Sequence, residues 1–506
     1  MPPFNPSTFS TALSSILNRE FIVNILFLVF VNVLIKPLFI FGVDLEVQNR
    51  APEGEYGLYF ALLFLAYIFQ IICDFGIQNF NNTHVSRHPQ LLAKYFPNLF
   101  ALKIILSVAY MFLAPIGAWL IFGYGPRELP LLMILLFNQA LIQMTFFLRS
   151  NISGLGHYRL DSFLSALDKG LMLLTCGVLL WGFPGDLSME SFALAQTLAL
   201  LGAMWVVFWL LRRKVTFSLR PSWVRNWRAG RPALLFLFKK SMPFAIVILL
   251  MTAYTRLDAV LLERLLPDGK VHADVYAGAY RLLDACNMFG YLFATLLLPM
   301  FARLLQTSPD GTAARPLVSL SFKLIWAGSV TLATAVFFAR ADLIQLMMPE
   351  RASAYRWDTL GLLIWTFVPV SATYIFSTLL TAGGQLGRMN RFFAVGIALD
   401  VLLNLLLVPP FQALGAAAAA LLTQLFIAGA MVWLSVRQFH YRPNPKSLAQ
   451  ILGFALFLWA AHWTIFEKTD FTWPWKSGLG LLAGGLALFL FQLVDLKGAR
   501  SRFLKK

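Results

Sequence analysis

The sequence predicts an all-α polytopic membrane protein with about 14 transmembrane helices. Of the 506 residues, 59% are hydrophobic and only 13% are charged, and the mean hydropathy is +0.70. Soluble domains carry about 25% charged residues. A span needs about 20 mostly apolar residues. Fourteen stretches meet or approach that length, at residues 21–41, 57–80, 98–122, 129–148, 160–181, 190–211, 241–262, 276–300, 317–338, 359–382, 392–408, 413–434, 448–466 and 477–494.

The residues behind the net charge of +17 are unevenly distributed among the predicted loops, and this distribution indicates the topology. Basic residues such as Arg149 and Arg437 fall in alternate connections, and acidic residues such as Glu53 and Asp268 fall in the others. This is the positive-inside pattern, and an even number of spans then places both termini in the cytoplasm. Because topology accounts for the basic balance, we expect no nucleic-acid partner.

The longest connection divides the chain. Residues 212–240 contain nine Lys and Arg residues and no acid, so we predict a cytoplasmic amphipathic segment on anionic lipid headgroups. A site for a regulatory partner is the alternative. The predicted organisation is a six-helix lobe at 1–211, the linker at 212–240, a second six-helix lobe at 241–438, and two further helices with a basic tail at 439–506.

The two predicted lobes resemble each other in sequence. Ala166-Leu167-Asp168 in the fifth span corresponds to Ala398-Leu399-Asp400 in the eleventh, and the second span corresponds to the eighth. Matching spans are six apart, so the two copies run in the same direction. Such a repeat places a binding site where the copies meet.

Several segments of the chain resemble a known family over about residues 20–440. The segments are Glu55-Tyr56-Gly57-Leu58, Asp74-Phe75-Gly76-Ile77, Tyr254-Thr255-Arg256-Leu257-Asp258, Val275-Tyr276-Ala277-Gly278-Ala279-Tyr280-Arg281-Leu282-Leu283-Asp284, Leu298-Pro299-Met300-Phe301-Ala302-Arg303, Asn404-Leu405-Leu406-Leu407-Val408-Pro409 and Leu414-Gly415-Ala416-Ala417-Ala418-Ala419. In their order and spacing they resemble the polysaccharide transporter family, O-antigen flippase type, of the multidrug/oligosaccharidyl-lipid/polysaccharide exporter superfamily.

The resemblance implies two lobes that face each other in a V around a central cavity. It also implies that the protein is a transporter, not an enzyme, and acts in lipopolysaccharide and other polysaccharide biosynthesis. The substrate would be an isoprenoid-diphosphate-linked oligosaccharide, flipped across the bacterial inner membrane. We expect a monomer without cofactors.

Charged residues inside the spans are the candidate functional residues, because each costs about 2.5–3.5 kcal/mol on insertion scales. Arg281, Arg256 and Lys36 lie in the outer half of the membrane and could face the cavity. Arg offers bidentate donors to phosphate oxygens, so we predict that these three residues bind the diphosphate. Internal pairing is the alternative, for example between Arg281 and Asp284 at i, i+3.

Asp400 and Asp168 occupy corresponding places near mid-depth, and Asn404 lies one helical turn after Asp400. A buried carboxylate can bind a proton or Na⁺ and couple transport to a gradient. The alternative is that these residues form buried structural pairs.

Three other functions stay open at this point. A cation-coupled multidrug exporter would use Asp168 and Asp400, but cationic drugs need an acidic cavity. A lipid II flippase fits fourteen spans. A membrane glycosyltransferase or polymerase is disfavoured, because the outer loops are all short. No GxxxxGK[ST] nucleotide loop is present, and we expect no metal site.

Overall fold

The computed structural model describes residues 34–78, 81, 92–183, 185, 187–215, 227–441 and 445–493. Helices make up almost all of these residues, and no strand occurs among them, which confirms the all-α class. Eleven helices in these ranges are long and apolar enough to cross a membrane. One of them, Leu386–Phe439, contains two of the predicted spans. Together they account for predicted spans two to thirteen.

The described chain divides into two compact units. The first comprises the residues up to Ala51 and Leu65–Ala245, and the second comprises Pro52–Phe64 and the residues from Ile246 onward. The boundary near residue 65 falls inside a helix, so the start of the second predicted span belongs to the second unit.

The first unit is built from long helices that pack side by side. Met189–Lys214 packs against Leu129–Gly154 and Tyr158–Gly177, and Leu92–Phe122 packs against Leu129–Gly154. Phe96, Phe147, Ile152 and Val207 form much of the core. A π-helical stretch, Leu38–Asp44, precedes α1 (Leu45–Arg50), α2 (Glu55–Phe69), α3 (Ile71–Asp74), α4 (Leu92–Phe122), α5 (Leu129–Gly154), α6 (Tyr158–Gly177) and α7 (Met189–Lys214).

In the second unit, Gly269–Thr307 packs against Ala354–Leu363 and Phe367–Ala382, and Phe367–Ala382 packs against Leu386–Phe439. Its core includes Tyr254, Phe301, Phe393 and Met431. The helices are α8 (Trp227–Leu265, of which the part from Ile246 belongs to this unit), α9 (Gly269–Thr307), α10 (Arg315–Phe338), α11 (Arg340–Met347), α12 (Ala354–Leu363), α13 (Phe367–Ala382), α14 (Leu386–Phe439), α15 (Pro445–Lys468) and α16 (Trp473–Leu490).

Helix α14 is two helices joined at a break. Gln412 has φ 54° and ψ −126°, outside the helical region, just after Pro409 and Pro410. Proline removes backbone donors and clashes with the preceding turn, so the chain reverses there. The break separates the predicted eleventh and twelfth spans, and it allows residues of both halves of α14 to reach one site.

The last two helices pack against α10, and glycines of α16 allow close packing against both α15 and α10. A Cβ at Gly480 would overlap the His462 ring of α15, and a Cβ at Gly484 would overlap the Thr331 side chain of α10. Small residues four apart on a helix allow such close approach, which is the main source of helix association in a membrane. Within the second unit, α15 and α16 therefore pack along α10.

Parts of several sequence predictions lie outside the described residues. They are residues 21–33 of the predicted first span, residues 79–80 of the second span, residues 216–226 of the basic segment, residue 494 of the last span and the basic tail that follows it.

Candidate functional site

Two buried carboxylates meet in the second unit. Asp258 on α8 and Asp400 on α14 are 2% and 0% exposed, and their carboxyl groups lie close enough to interact electrostatically. Asn404 joins them. Its Nδ2 donates to Asp258 Oδ1 at 2.8 Å and to the Asp400 backbone carbonyl at 2.9 Å. We call Asp258, Asp400, Asn404 and Thr423 the carboxylate cluster.

Hydroxyl groups supply the other hydrogen bonds of the carboxylate cluster. Thr423, on the second half of α14, donates to Asp400 Oδ1 at 3.3 Å. Tyr276 on α9 donates to Asp258 Oδ2 at 3.4 Å. Asp400 Oδ2 and Asn404 Oδ1 are buried without a hydrogen-bond partner in the described part of the chain. Buried polar atoms are normally satisfied, so these two oxygens have unused capacity to accept hydrogen bonds.

The chemistry of this cluster is that of an oxygen-donor site. It offers carboxylate, amide and hydroxyl oxygens, which suit hard cations. Two adjacent carboxylates in a dry environment repel each other unless a proton or a cation lies between them. No group of three or more His, Cys, Asp or Glu side chains that could hold a metal ion occurs among the residues that the structure describes.

Arg256 lies two residues before Asp258, on another face of α8. Its guanidinium carbon is 4.4 Å from the centroid of the Phe64 ring and 5.5 Å from that of Tyr280. One of its Nη atoms is 3.8 Å from Asp284 Oδ1 on α9. Aromatic faces stabilise a cation through their quadrupole. We call Arg256, Asp284, Phe64 and Tyr280 the arginine cluster.

A cavity of about 110 Å³ lies beside both clusters. Asp258 of the carboxylate cluster and Tyr276 line it together with Arg256 and Asp284 of the arginine cluster, whereas Asp400, Asn404 and Thr423 are not among its lining residues. Asn287 adds a buried amide oxygen without a partner in the described ranges. A water molecule takes about 30 Å³ of liquid, so the cavity has room for a few water molecules or a group of similar size.

Arg281 lies on the same helix as Asp284 but has different partners. Its Nη2 donates to the Tyr56 hydroxyl at 2.9 Å, and its guanidinium lies 5.3 Å from the Tyr56 ring centroid. The helix that carries Tyr56 packs closely here, since a Cβ at Gly57 would overlap the Lys270 carbonyl of α9. The Glu55-Tyr56-Gly57 segment therefore positions an aromatic hydroxyl against Arg281.

Two of the predicted site residues belong to the first unit. Lys36 is half-buried just before the π-helical stretch. Asp168 is half-buried on α6, and its Oδ1 has no hydrogen-bond partner within the described residues. The residue one turn after Asp168 is Met172, where Asp400 is followed by Asn404. Asp168 therefore has no counterpart of the amide that joins Asp400 to Asp258.

The structure also identifies residues that the sequence interpretation did not assign. Asp258 and Thr423 complete the carboxylate cluster. Asp258 could have been assigned from the sequence, because it is an acidic residue inside a predicted span. Lys103 on α4 is fully buried and donates to Asp74 Oδ1 at 2.7 Å and to the Cys73 carbonyl at 3.1 Å. Comparing opposite charges in neighbouring spans would have suggested that pair.

These features define a polytopic membrane protein with a buried carboxylate site and a neighbouring arginine. The fold is that of known transporters. A lipid II flippase, MurJ, in an inward closed conformation aligns with a TM-score of 0.67 at 12% identity, over 92% of this chain and 98% of that protein. An inward-facing multidrug resistance MATE family transporter of the MOP superfamily aligns with a TM-score of 0.61 at 12% identity, over 79% and 94%.

A MOP superfamily transporter from Pyrococcus furiosus also aligns, with a TM-score of 0.59 at 14% identity, over 82% and 95%. No curated protein matches the sequence. Residues 17–305 match the model of a family described as polysaccharide biosynthesis protein. That range exceeds half of the chain, and the protein belongs to this family. The match covers Arg256, Asp258 and Arg281.

Proposed function

We propose that this protein flips an isoprenoid-diphosphate-linked oligosaccharide across the bacterial inner membrane. It does so by alternating access, with both termini in the cytoplasm, and supplies repeat units for a surface polysaccharide such as O-antigen. Its polysaccharide biosynthesis family and its transporter fold support the proposal. A diphosphate is the part of such a substrate that most needs protein contacts in a membrane, because its charge leaves water.

The arginine cluster is the observation that carries the proposal. Arg256 is 24% exposed at its side chain, lines a cavity and stacks on aromatic rings. Stacking uses the face of the guanidinium and orients its N–H edge, which forms the fork that binds phosphate oxygens. An arginine inside a membrane span costs free energy on insertion, so a functional role is the default interpretation of an arginine that lines a cavity there.

Arg281 and Lys36 are assigned to the same diphosphate in this proposal. Arg281 is buried beside Tyr56, and the hydroxyl of Tyr56 holds its guanidinium in one orientation. Lys36 contributes a compact positive charge from the first unit. Two or three cations match the charge that a diphosphate carries.

We also propose that a proton or Na⁺ binds at Asp400 and Asn404, together with Asp258 and Thr423. The two buried oxygens without partners, Asp400 Oδ2 and Asn404 Oδ1, support this assignment. Neutralising two neighbouring carboxylates favours a closed, dehydrated state, and an ion gradient can then bias the transport cycle. Asp168 remains a second candidate for coupling.

Flipping by the purified protein in proteoliposomes tests the function. The probe is an undecaprenyl-diphosphate-linked saccharide, and the variant is Arg256→Gln combined with Arg281→Gln. Arg340→Gln is the matched control, because Arg340 also stacks on a ring, that of Phe337 at 4.5 Å, and pairs with an aspartate, Asp358, at 3.5 Å. We expect the double variant to lose flipping and the control to keep it. Equal flipping by both would refute the proposal.

A cation-coupled multidrug exporter is the second candidate, because the carboxylate cluster and its aromatic neighbours could hold a cationic molecule. Arg256 in the same cavity opposes this function by repulsion. Transport of an organic cation such as ethidium, unaffected by Arg256→Gln, would favour the exporter. The same flipping assay with lipid II as the substrate distinguishes a lipid II flippase from a flippase of an isoprenoid-diphosphate-linked oligosaccharide.

A further inference from the structure

We propose that Asp284 is an exchangeable counter-ion, which neutralises Arg256 in the empty protein and is displaced by the phosphate of the substrate. The inference rests on the proposed function, since it assigns a residue that controls how the diphosphate binds and leaves. The observation behind it is that Asp284 forms its ion pair with Arg256.

Asp284 pairs with Arg256 and not with Arg281. The i, i+3 spacing on α9 would allow the Arg281 pair, but the carboxylate of Asp284 lies 3.8 Å from a guanidinium nitrogen of Arg256 on α8. The side chain of Asp284 is 45% exposed, far more than a structural pair inside a membrane protein needs. The contact is long and open, so it can break without moving a helix.

A replaceable counter-ion solves an electrostatic problem at this position. An arginine at the lining of a cavity attracts anions, and a neighbouring carboxylate competes with them for it. Without Asp284, Arg256 would therefore hold the diphosphate more tightly and release it more slowly. Asp284 can take the place of the phosphate at Arg256, which makes release from this site feasible.

The geometry also explains why exchange is inexpensive. Half-exposed ion pairs contribute about 0–1 kcal/mol. A diphosphate offers more negative charge and bidentate acceptors, so it can displace one carboxylate. Phe64 and Tyr280 stabilise the guanidinium during the exchange, because their ring centroids lie 4.4 and 5.5 Å from its carbon atom.

Binding of inorganic pyrophosphate to the purified full-length protein, measured by calorimetry, tests the exchange. We expect Asp284→Asn to bind pyrophosphate about two- to fivefold more tightly than the wild type, as removal of a weak competing ion pair requires. Asp358→Asn is the matched control, since Asp358 forms a similar half-exposed pair with Arg340, away from the lining of the cavity. We expect no change for this control.

Two further variants make the result specific. In the Arg256→Gln background, Asp284→Asn should have no effect on pyrophosphate affinity, because no arginine is left to compete for. Asp284→Glu keeps a carboxylate and should restore an affinity close to that of the wild type. In the flipping assay, Asp284→Asn should lower turnover at saturating substrate, since release becomes slower.

The outcomes separate this inference from the proposed function. If wild-type affinity falls in Arg256→Gln but Asp284→Asn binds no more tightly than wild type, the exchange is wrong and the diphosphate site stands. If pyrophosphate affinity does not depend on Arg256, both proposals are wrong. If Asp284→Glu behaves like Asp284→Asn, the carboxylate is not the competitor and the exchange is refuted.

Discussion

Asn404 donates a hydrogen bond of 2.8 Å to Asp258, from which it is separated by 146 residues. The same amide nitrogen also reaches the carbonyl of Asp400, one turn away on its own helix. One side chain thus joins the seventh and eleventh predicted spans at the two carboxylates. A change in the charge of Asp258 or Asp400 therefore alters the hydrogen bonds at the contact between these helices.

The first prediction concerns ion coupling. Asp400→Asn removes a negative charge from a site where two carboxylates repel each other, so the thermal stability should stay the same or rise. Transport should lose its response to imposed proton or Na⁺ gradients. The check is flipping in proteoliposomes with and without each gradient, alongside a melting curve in detergent. A variant that responds to the gradients like the wild type would remove Asp400 from coupling.

The second prediction concerns the buried pair of Lys103 and Asp74. Lys103→Met leaves Asp74 as an uncompensated buried charge, and breaking such a pair costs about 3–5 kcal/mol. We expect a marked fall in thermal stability or yield. The double variant Lys103→Met with Asp74→Asn should recover much of the loss, because no lone charge remains. Failure of the double variant to recover any stability would mean that the loss comes from packing.

The third prediction concerns the docking of the last two helices. Gly484→Leu and Gly480→Leu should each lower the melting temperature, because their Cβ positions are occupied by Thr331 and His462. Gly485→Leu is the control on the same helix, since no atom lies within 4 Å of its Cβ position. Equal effects of all three substitutions would show that α16 does not pack through this glycine face.

The fourth prediction concerns topology. Loop charges place the basic connection at residues 212–240 in the cytoplasm and the loop at Asp268 on the opposite side. Single cysteines at Asn226 and Asp268 should react with an impermeant thiol reagent from opposite sides of the membrane. Labelling of both from one side would contradict the fourteen-span arrangement.

The fold class was predictable because span length and loop charge are local properties of the sequence. The same is true of Arg256, Arg281 and Asp400, since any charge inside a span stands out. The partners of these residues were not predictable in the same way. Asp284 is placed to contact Arg281 by helical spacing, yet it pairs with Arg256 on a different helix. That choice depends on how α8 and α9 are rotated against each other.

The carboxylate cluster, too, was only partly predictable from the sequence. Asp400 and Asn404 were recognisable by their spacing of one turn, but Asp258 and Thr423 join them only through tertiary structure. Lys103 was missed because a lysine near the start of a long apolar stretch is easily interpreted as lying at the membrane surface. Its ammonium group contacts the Cys73 carbonyl beside a break in the helix, where Phe75 and Gly76 have positive φ angles of 47° and 76°.

A structure of the protein bound to an isoprenyl-diphosphate-linked saccharide tests the central claim most directly. The account predicts a phosphate within hydrogen-bond distance of the guanidinium groups of Arg256 and Arg281, with Lys36 nearby and Asp284 displaced from Arg256. A diphosphate bound elsewhere, with Arg256 still paired to Asp284 and Arg281 still on Tyr56, would contradict it.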